Sequence, residues 1–204
     1  FHAPSAAVMV ATQTLESELV AHGFGNVVSW TRGVDTDLFT PRRKPALDLP
    51  KPVSVYVGRV SVEKNIEAFL TLDLPGTKLV VGGGPQLESL RQKHPEVVFA
   101  GPKFGEDLAA HYTSGDVFVF PSLTDTFGLV MLEAMASGLP VAAFPVTGPL
   151  DVLGDTKAAF MDENLTKAVE QALQVTAKQA RTHAEKYSWS ACTDQFLQNL
   201  VRAS

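Results

Sequence analysis

Two carboxylates, Asp125 and Glu133, stand in the run PSLTDTFGLVMLEAMASG at residues 121–138, and every other side chain of that run is uncharged. The preceding VFVF at 117–120 has the apolar, β-branched and aromatic look of a buried strand, which Pro121 and Ser122 end. From Phe127 the spacing turns helical. Phe127, Val130, Met131, Ala134 and Met135 share one stripe, and Leu129, Leu132 and Ala136 leave almost no polar face, so a nearly all-buried helix over 127–137 is expected. Glu133 is costly there, because a buried carboxylate needs a partner or hydrogen-bond donors. One solution is a structural ion pair with a neighbouring Arg or Lys; the other is a ligand. Asp125 or Thr126 is the expected N-cap, which leaves the amides of Phe127, Gly128 and Leu129 facing outward where free helix-start amides attract phosphate. Glu133 then lies roughly 9 Å further along the axis. A nucleoside diphosphate seated on those amides would offer its ribose hydroxyls to Glu133, with Asp125 beside the group on the terminal phosphate.

A second set of chemistry-bearing residues follows the strand-like VSVYV at 53–57: Gly58 and Arg59, then Glu63, Lys64 and Asn65 opening a helix. Arg59 presents a planar fork and Lys64 a point charge. Two such cations converging on a diphosphate stabilise it as a leaving group without a metal. The alternative leaves both at the surface, paired with Glu63 or Glu67. Gly82, Gly83, Gly84 and Pro85 follow the next strand and invite a dinucleotide reading. The signal for that reading is weak, because the third glycine of G-x-G-x-x-G would fall at Leu87 and no acidic residue ends a following strand in the usual place. A tight strand-to-helix turn near the ligand, with Pro85 at the first helical position, accounts for the glycines as well.

In these motifs the sequence resembles the group 1 glycosyltransferases, a family of retaining, nucleotide-sugar-dependent enzymes with the GT-B fold. The family's E-x7-E motif reads here DTFGLVMLEAMASGLPV, with Asp125 in place of the first Glu: one methylene shorter, the same charge. GVDTDLFTP (33–41), VGRVSVEKN (57–65), VGGGPQLESL (81–90), GDVFVFPS (115–122) and YSW (187–189) are similar to further family landmarks, in family order. The resemblance implies an α/β fold, the carboxyl-terminal half of a GT-B enzyme built on a Rossmann-like, doubly wound parallel sheet. It implies a donor-binding domain at 41–204, closing with a terminal helix at 187–204, after a tail of the amino-terminal domain and linker at 1–40. Asp125, Arg59 and Lys64 would take the catalytic roles. Glu133, Thr126, Phe127, Gly128, Leu129, Gly58, Gly83 and Gly84 would bind the nucleotide sugar.

The implied reaction is metal-independent hexosyl transfer with retention, needing no cofactor, onto a glycan or lipid acceptor held by a missing amino-terminal domain. The complete enzyme would bind the inner face of a membrane peripherally, if at all. A sugar-nucleotide epimerase or phosphorylase of the same fold, or a non-catalytic nucleotide-sugar-binding module, are the alternatives. Asp35-Thr36-Asp37 spells the D-x-D by which another glycosyltransferase fold holds a metal, yet it lies in a turn-like segment and no cluster has metal-ligand spacing. The five histidines, His2, His22, His94, His111 and His183, are scattered and read as surface or cap residues.

The elements that must position these residues follow from the punctuation. Strands are expected near 8–12, 27–30, 53–57, 78–82, 97–100, 117–120 and 141–144, and helices near 13–22, 63–72, 86–93, 105–114, 127–137, 163–175, 177–186 and 190–202. Strands alternating with helices imply right-handed crossovers and a parallel sheet. The Pro-rich and charged stretch 40–51 is the expected domain boundary. At 204 residues with 45% hydrophobic side chains the chain can fill a core. No apolar run reaches the roughly 18 residues that span a bilayer, and Phe1-His2-Ala3-Pro4 does not resemble a signal peptide. Cys192 is the only cysteine, which fits a reducing, cytoplasmic setting and a buried thiol. A net charge of −5 argues against a nucleic-acid partner, and Arg42-Arg43-Lys44 reads as a solvated loop.

Overall fold

A computed structural model describes residues 5–154 and 156–200. Strands β1 (Val8–Val10) and β2 (Val27–Ser29), joined by α1 (Gln13–Ala21), form a small parallel pair. Six further parallel strands follow: β3 (Val53–Val57), β4 (Thr77–Val81), β5 (Val98–Gly101), β6 (Val117–Phe120), β7 (Val141–Ala143) and β8 (Ala159–Met161), in the order β5-β4-β3-β6-β7-β8. The order reverses between β3 and β6, and a doubly wound sheet opens a crevice at the carboxyl ends of the two strands where it reverses. The fold class expected from the sequence is therefore the one observed.

All five residues of β3 and all four of β6 are buried, as strands covered on both faces must be. Their alternation divides the core in two. Val53, Val55, Val57, Phe118 and Phe120 pack with α4 (Gly105–Tyr112), α5 (Leu129–Ala136), α6 (Thr147–Leu153) and α8 (Ala177–Ala184). Tyr56, Val80, Val117 and Val119 pack with α2 (Ile66–Leu70), α3 (Leu87–Lys93) and α7 (Leu165–Ala172) on the opposite face. Truncating a fully buried ring such as Phe118 to Ala would cost about 3–5 kcal/mol.

Several local expectations change. The helix expected over 63–72 is broken: a 3₁₀ turn at Val62–Lys64 ends at Asn65, whose φ of 51° is left-handed, and α2 starts after it. Asn tolerates that conformation better than most side chains. Pro85 lies in the turn before α3 rather than at its first position, because Gln86 is the cap. α6 and β8 were not expected at all, since residues 147–161 carry Gly148, Pro149 and Gly154 and a strand of only three residues. The last helix, α9 (Trp189–Gln198), ends before the expected limit, of which residues 201–202 lie outside the described residues.

Asn164 is the cap of α7, its Oδ1 accepting from the amides of Thr166 and Lys167 at 3.1 and 3.4 Å. Three histidines are buried rather than at the surface, each with one ring nitrogen against an acceptor: His111 with the Asp107 carbonyl, His183 with the Val152 carbonyl and His94, which caps α3, with Glu96. His94 Nε2 and His183 Nδ1 have no partner among the described residues. His2 lies outside the described residues. Asp35 accepts from the amides of Asp37 and Leu38 at 3.0 and 2.8 Å, so the D-x-D acid closes its own turn. Cys192 is buried and donates to the Thr31 carbonyl. No helix among the described residues is long and apolar enough to cross a membrane.

Candidate active site at the switch point

A cleft of about 390 Å³ opens where β3 and β6 end, at the strand-order reversal. Its wall brings together Gly58, Arg59, Lys64, Asp125, Thr126, Phe127, Gly128 and Leu129, all singled out from sequence, with Arg32, Tyr56 and Ser122, which were not. A neighbouring groove of about 310 Å³ shares Val57, Gly58 and Arg59 with it and continues over Gly83 to Pro102, Lys103 and Phe104. Gly84 lines neither. It lies beneath Val60, where a Cβ would meet the Val60 carbonyl oxygen at 2.3 Å, and a Cβ on Gly82 would meet that of Gly58 at 1.9 Å. These two glycines thus let the loops after β3 and β4 pack backbone on backbone, sealed by the Val60 amide donating to the Gly83 carbonyl at 3.0 Å.

The loop at 121–128 is held by two consecutive residues of the broken helix. Asn65 Nδ2 donates to the Pro121 carbonyl at 3.0 Å, and Lys64 Nζ donates to Asp125 Oδ2 at 2.7 Å. The left-handed turn at Asn65 aims both toward the loop. Lys64 is thus paired across the cleft floor with Asp125, not with Glu63 or Glu67. Arg59 stays exposed, with a loose contact to Glu63 at 3.9 Å, and its backbone is fixed by the Tyr56 hydroxyl donating to its carbonyl at 2.8 Å. Burial first, then the charges of Asp125 and Glu63, push the Tyr56 hydroxyl well above its ordinary range, so it stays a donor.

The helix behind this loop starts two residues later than expected. Gly128, with φ 74° and ψ 56°, is its N-cap, and neither Asp125 nor Thr126 caps it. Asp125 Oδ1 instead accepts from the Phe127 amide at 3.4 Å, closing the loop on itself. No side chain caps α5, and Gly128, Leu129 and Val130 face the cleft, so the outward amides are displaced by one residue from those expected. The first turn is also more open than the all-buried helix expected, with Leu129 exposed.

A scan against family models matches residues 51–178 to "Glycosyl transferases group 1". The chain belongs to the group 1 glycosyl transferases. It is 32% identical to sulfoquinovosyl transferase SQD2 of Arabidopsis thaliana, over 94% of this chain and 44% of that protein. It is 34% identical to a GDP-mannose-dependent alpha-mannosyltransferase of Mycobacterium tuberculosis, over 92% of this chain and 54% of that one. Sucrose-phosphate synthase from Thermosynechococcus elongatus superposes with a TM-score of 0.76 at 26% identity, over 94% of this chain and 57% of that structure. The chain thus spans about half the length of these relatives. Its doubly wound sheet is that of a GT-B glycosyl transferase half.

Within this group 1 domain, Glu133 has no cationic partner among the described residues; the Tyr112 hydroxyl of α4 donates to its Oε2 at 2.8 Å. That removes the alternative of a structural ion pair with Arg or Lys among the described residues. A signal existed in the sequence, since a Tyr on the buried side of a helix needs a partner for its hydroxyl. The Tyr112 ring is held edge-on to Phe39 at 5.6 Å. Glu133 is half-buried and lies one turn past Val130, outside the residues lining the cleft. Burial raises its carboxyl above the ordinary range, and the Tyr112 bond only partly opposes this. A raised folded-state pKa means that stability is fully present below the unfolded value of 4.5 and is lost as pH rises through the folded value. Glu133→Gln should therefore melt higher than the parent at neutral pH and match it below pH 4.5, as thermal denaturation across pH would show.

Proposed function

We propose that this chain is the donor-binding half of a metal-independent, retaining glycosyltransferase that moves a hexosyl unit from a nucleoside diphosphate sugar. The observation that carries the reading is one cleft, at the switch point, that gathers an uncapped helix start, Arg59 and the Lys64–Asp125 pair. The diphosphate would lie on the amides of Gly128 and Leu129, where the helix dipole favours negative charge. Arg59 and Lys64 would stabilise the charge that grows on it as the sugar departs. Asp125, anchored by Lys64, would face the sugar or the positive charge developing on it. The base would extend into the adjoining groove over Gly83 and Pro102, with the exposed ring of Phe104 free to cover it. Glu133 would accept from the ribose hydroxyls. With Asp125 held by Lys64 rather than free to attack the sugar, retention would come from attack on the face the diphosphate leaves. The mannosyltransferase relative's dependence on GDP-mannose and the group's family membership support a nucleotide-sugar donor.

The cleft carries Leu129 and the adjoining groove Phe104 as exposed apolar side chains. An acceptor domain closing over them would exclude water and orient the nucleophile. The 204-residue chain should accordingly bind donor without transferring it, with modest affinity of about −8 to −4 kcal/mol. Calorimetry with GDP- and UDP-sugars, run beside a radiolabelled transfer assay on glycan, lipid and protein acceptors, checks both halves. Efficient multiple turnover by this chain would place the active site wholly within it and refute the division proposed.

A further inference from the structure

Arg32 lines the cleft although it belongs to the linker segment, 21 residues before the first strand of the main sheet. It is exposed, and among the described residues its guanidinium has no carboxylate partner. Its backbone is held tightly. Gln195 Oε1 accepts from both the amide and the hydroxyl of Thr31 at 3.0 Å, and the Val34 amide donates to the Tyr187 carbonyl at 2.8 Å. Gly33 lies flat on Trp189, where a Cβ would come within 2.7 Å of the indole ring. The terminal segment 187–195 therefore clamps the residues on either side of Arg32 and leaves its long side chain toward the cleft.

Charge decides what that side chain is for. Lys64 is already neutralised by Asp125 at 2.7 Å, so without Arg32 only Arg59 offers the cleft an unspent positive charge. A donor's diphosphate carries roughly one negative charge per phosphate. We propose that Arg32 is a third cation of the diphosphate site, supplied by the linker and positioned by the carboxyl-terminal helix, so that donor binding and linker placement are coupled. A planar fork suits two phosphate oxygens better than an ammonium does. The inference rests on the donor-binding reading above, and the experiment separates the two.

The 204-residue chain and its Arg32→Ala, Arg32→Lys and Gln195→Ala variants would be titrated calorimetrically with UDP, UMP, GDP and GMP. For whichever base binds, Arg32→Ala should weaken the diphosphate about tenfold and the monophosphate much less, with Arg32→Lys between them. Gln195→Ala, which loosens Thr31 but touches no phosphate, should weaken the diphosphate only while Arg32 is present. Its effect should vanish in the double variant. Unchanged melting temperature for Arg32→Ala establishes folding, as expected for an exposed side chain. Equal losses for mono- and diphosphate, or none, in variants of a chain that binds UDP or GDP would overturn the role of Arg32 alone. A parent chain that binds neither diphosphate would overturn the donor reading itself.

Discussion

Replacing Lys64 with Ala should lower the transfer rate of a complete enzyme containing this domain by about 10²–10³-fold, while donor affinity should fall much less. The asymmetry follows from where charge grows: the ground-state diphosphate is already anionic, but the bond to the sugar breaks onto it. Lys64 has a second duty. Its Nζ lies 2.7 Å from Asp125, whose side chain is only 16% exposed, so Lys64→Ala also strands that carboxylate. Removing the charge of both partners, as Lys64→Met with Asp125→Asn, should restore stability relative to Lys64→Ala but not rate. Arg59→Ala should lower the rate without that loss of stability, since Arg59 is exposed and its contact to Glu63 is 3.9 Å. Steady-state kinetics beside thermal denaturation of the three variants and the parent reads the two duties apart. A chelator should leave the parental rate unchanged; loss of activity in EDTA with recovery on a divalent ion would refute the metal-free mechanism.

Glu133→Gln should weaken nucleoside diphosphate binding by about 1.5–3 kcal/mol, the usual worth of charge-assisted hydrogen bonds, and the loss should shrink for a dideoxyribose nucleotide. Tyr112 sharpens this prediction. Its hydroxyl occupies one acceptor site on Oε2 and also lies 3.3 Å from the Val130 carbonyl, which fixes the carboxylate relative to the helix. A carboxylate accepts further bonds at its remaining lone pairs, so ribose and Tyr112 need not compete. Equal losses for ribose and dideoxyribose ligands would make Glu133 a purely structural partner of Tyr112. The higher melting temperature expected of Glu133→Gln at neutral pH is the complement: on the proposed reading, the carboxylate costs stability in the free chain and recovers it on binding the ribose.

The strand-helix alternation, the parallel sheet and most of the residues in the cleft were legible in the sequence because they depend on local periodicity. VSVYV and VFVF are continuous apolar runs bounded by Gly or Pro, and such runs form buried parallel strands whose carboxyl ends must carry Gly58, Arg59 and the 121–128 loop. The charge pattern of 121–138 likewise shows that Asp125 and Glu133 need an explanation, whatever the fold. What the tertiary structure alone decided is which groups meet. Lys64 and Asp125 are 61 residues apart and Glu133 and Tyr112 are 21 apart, and neither pairing is encoded by spacing within one element. The left-handed turn at Asn65 and the Gly128 start of α5 are single-residue backbone choices that propensity does not settle, yet they aim Lys64 and set which amides are free. Arg32 was invisible for the same reason: a lone arginine ahead of the main sheet joins the cleft wall in the fold, where the terminal helix, more than 150 residues later, holds its neighbour Thr31.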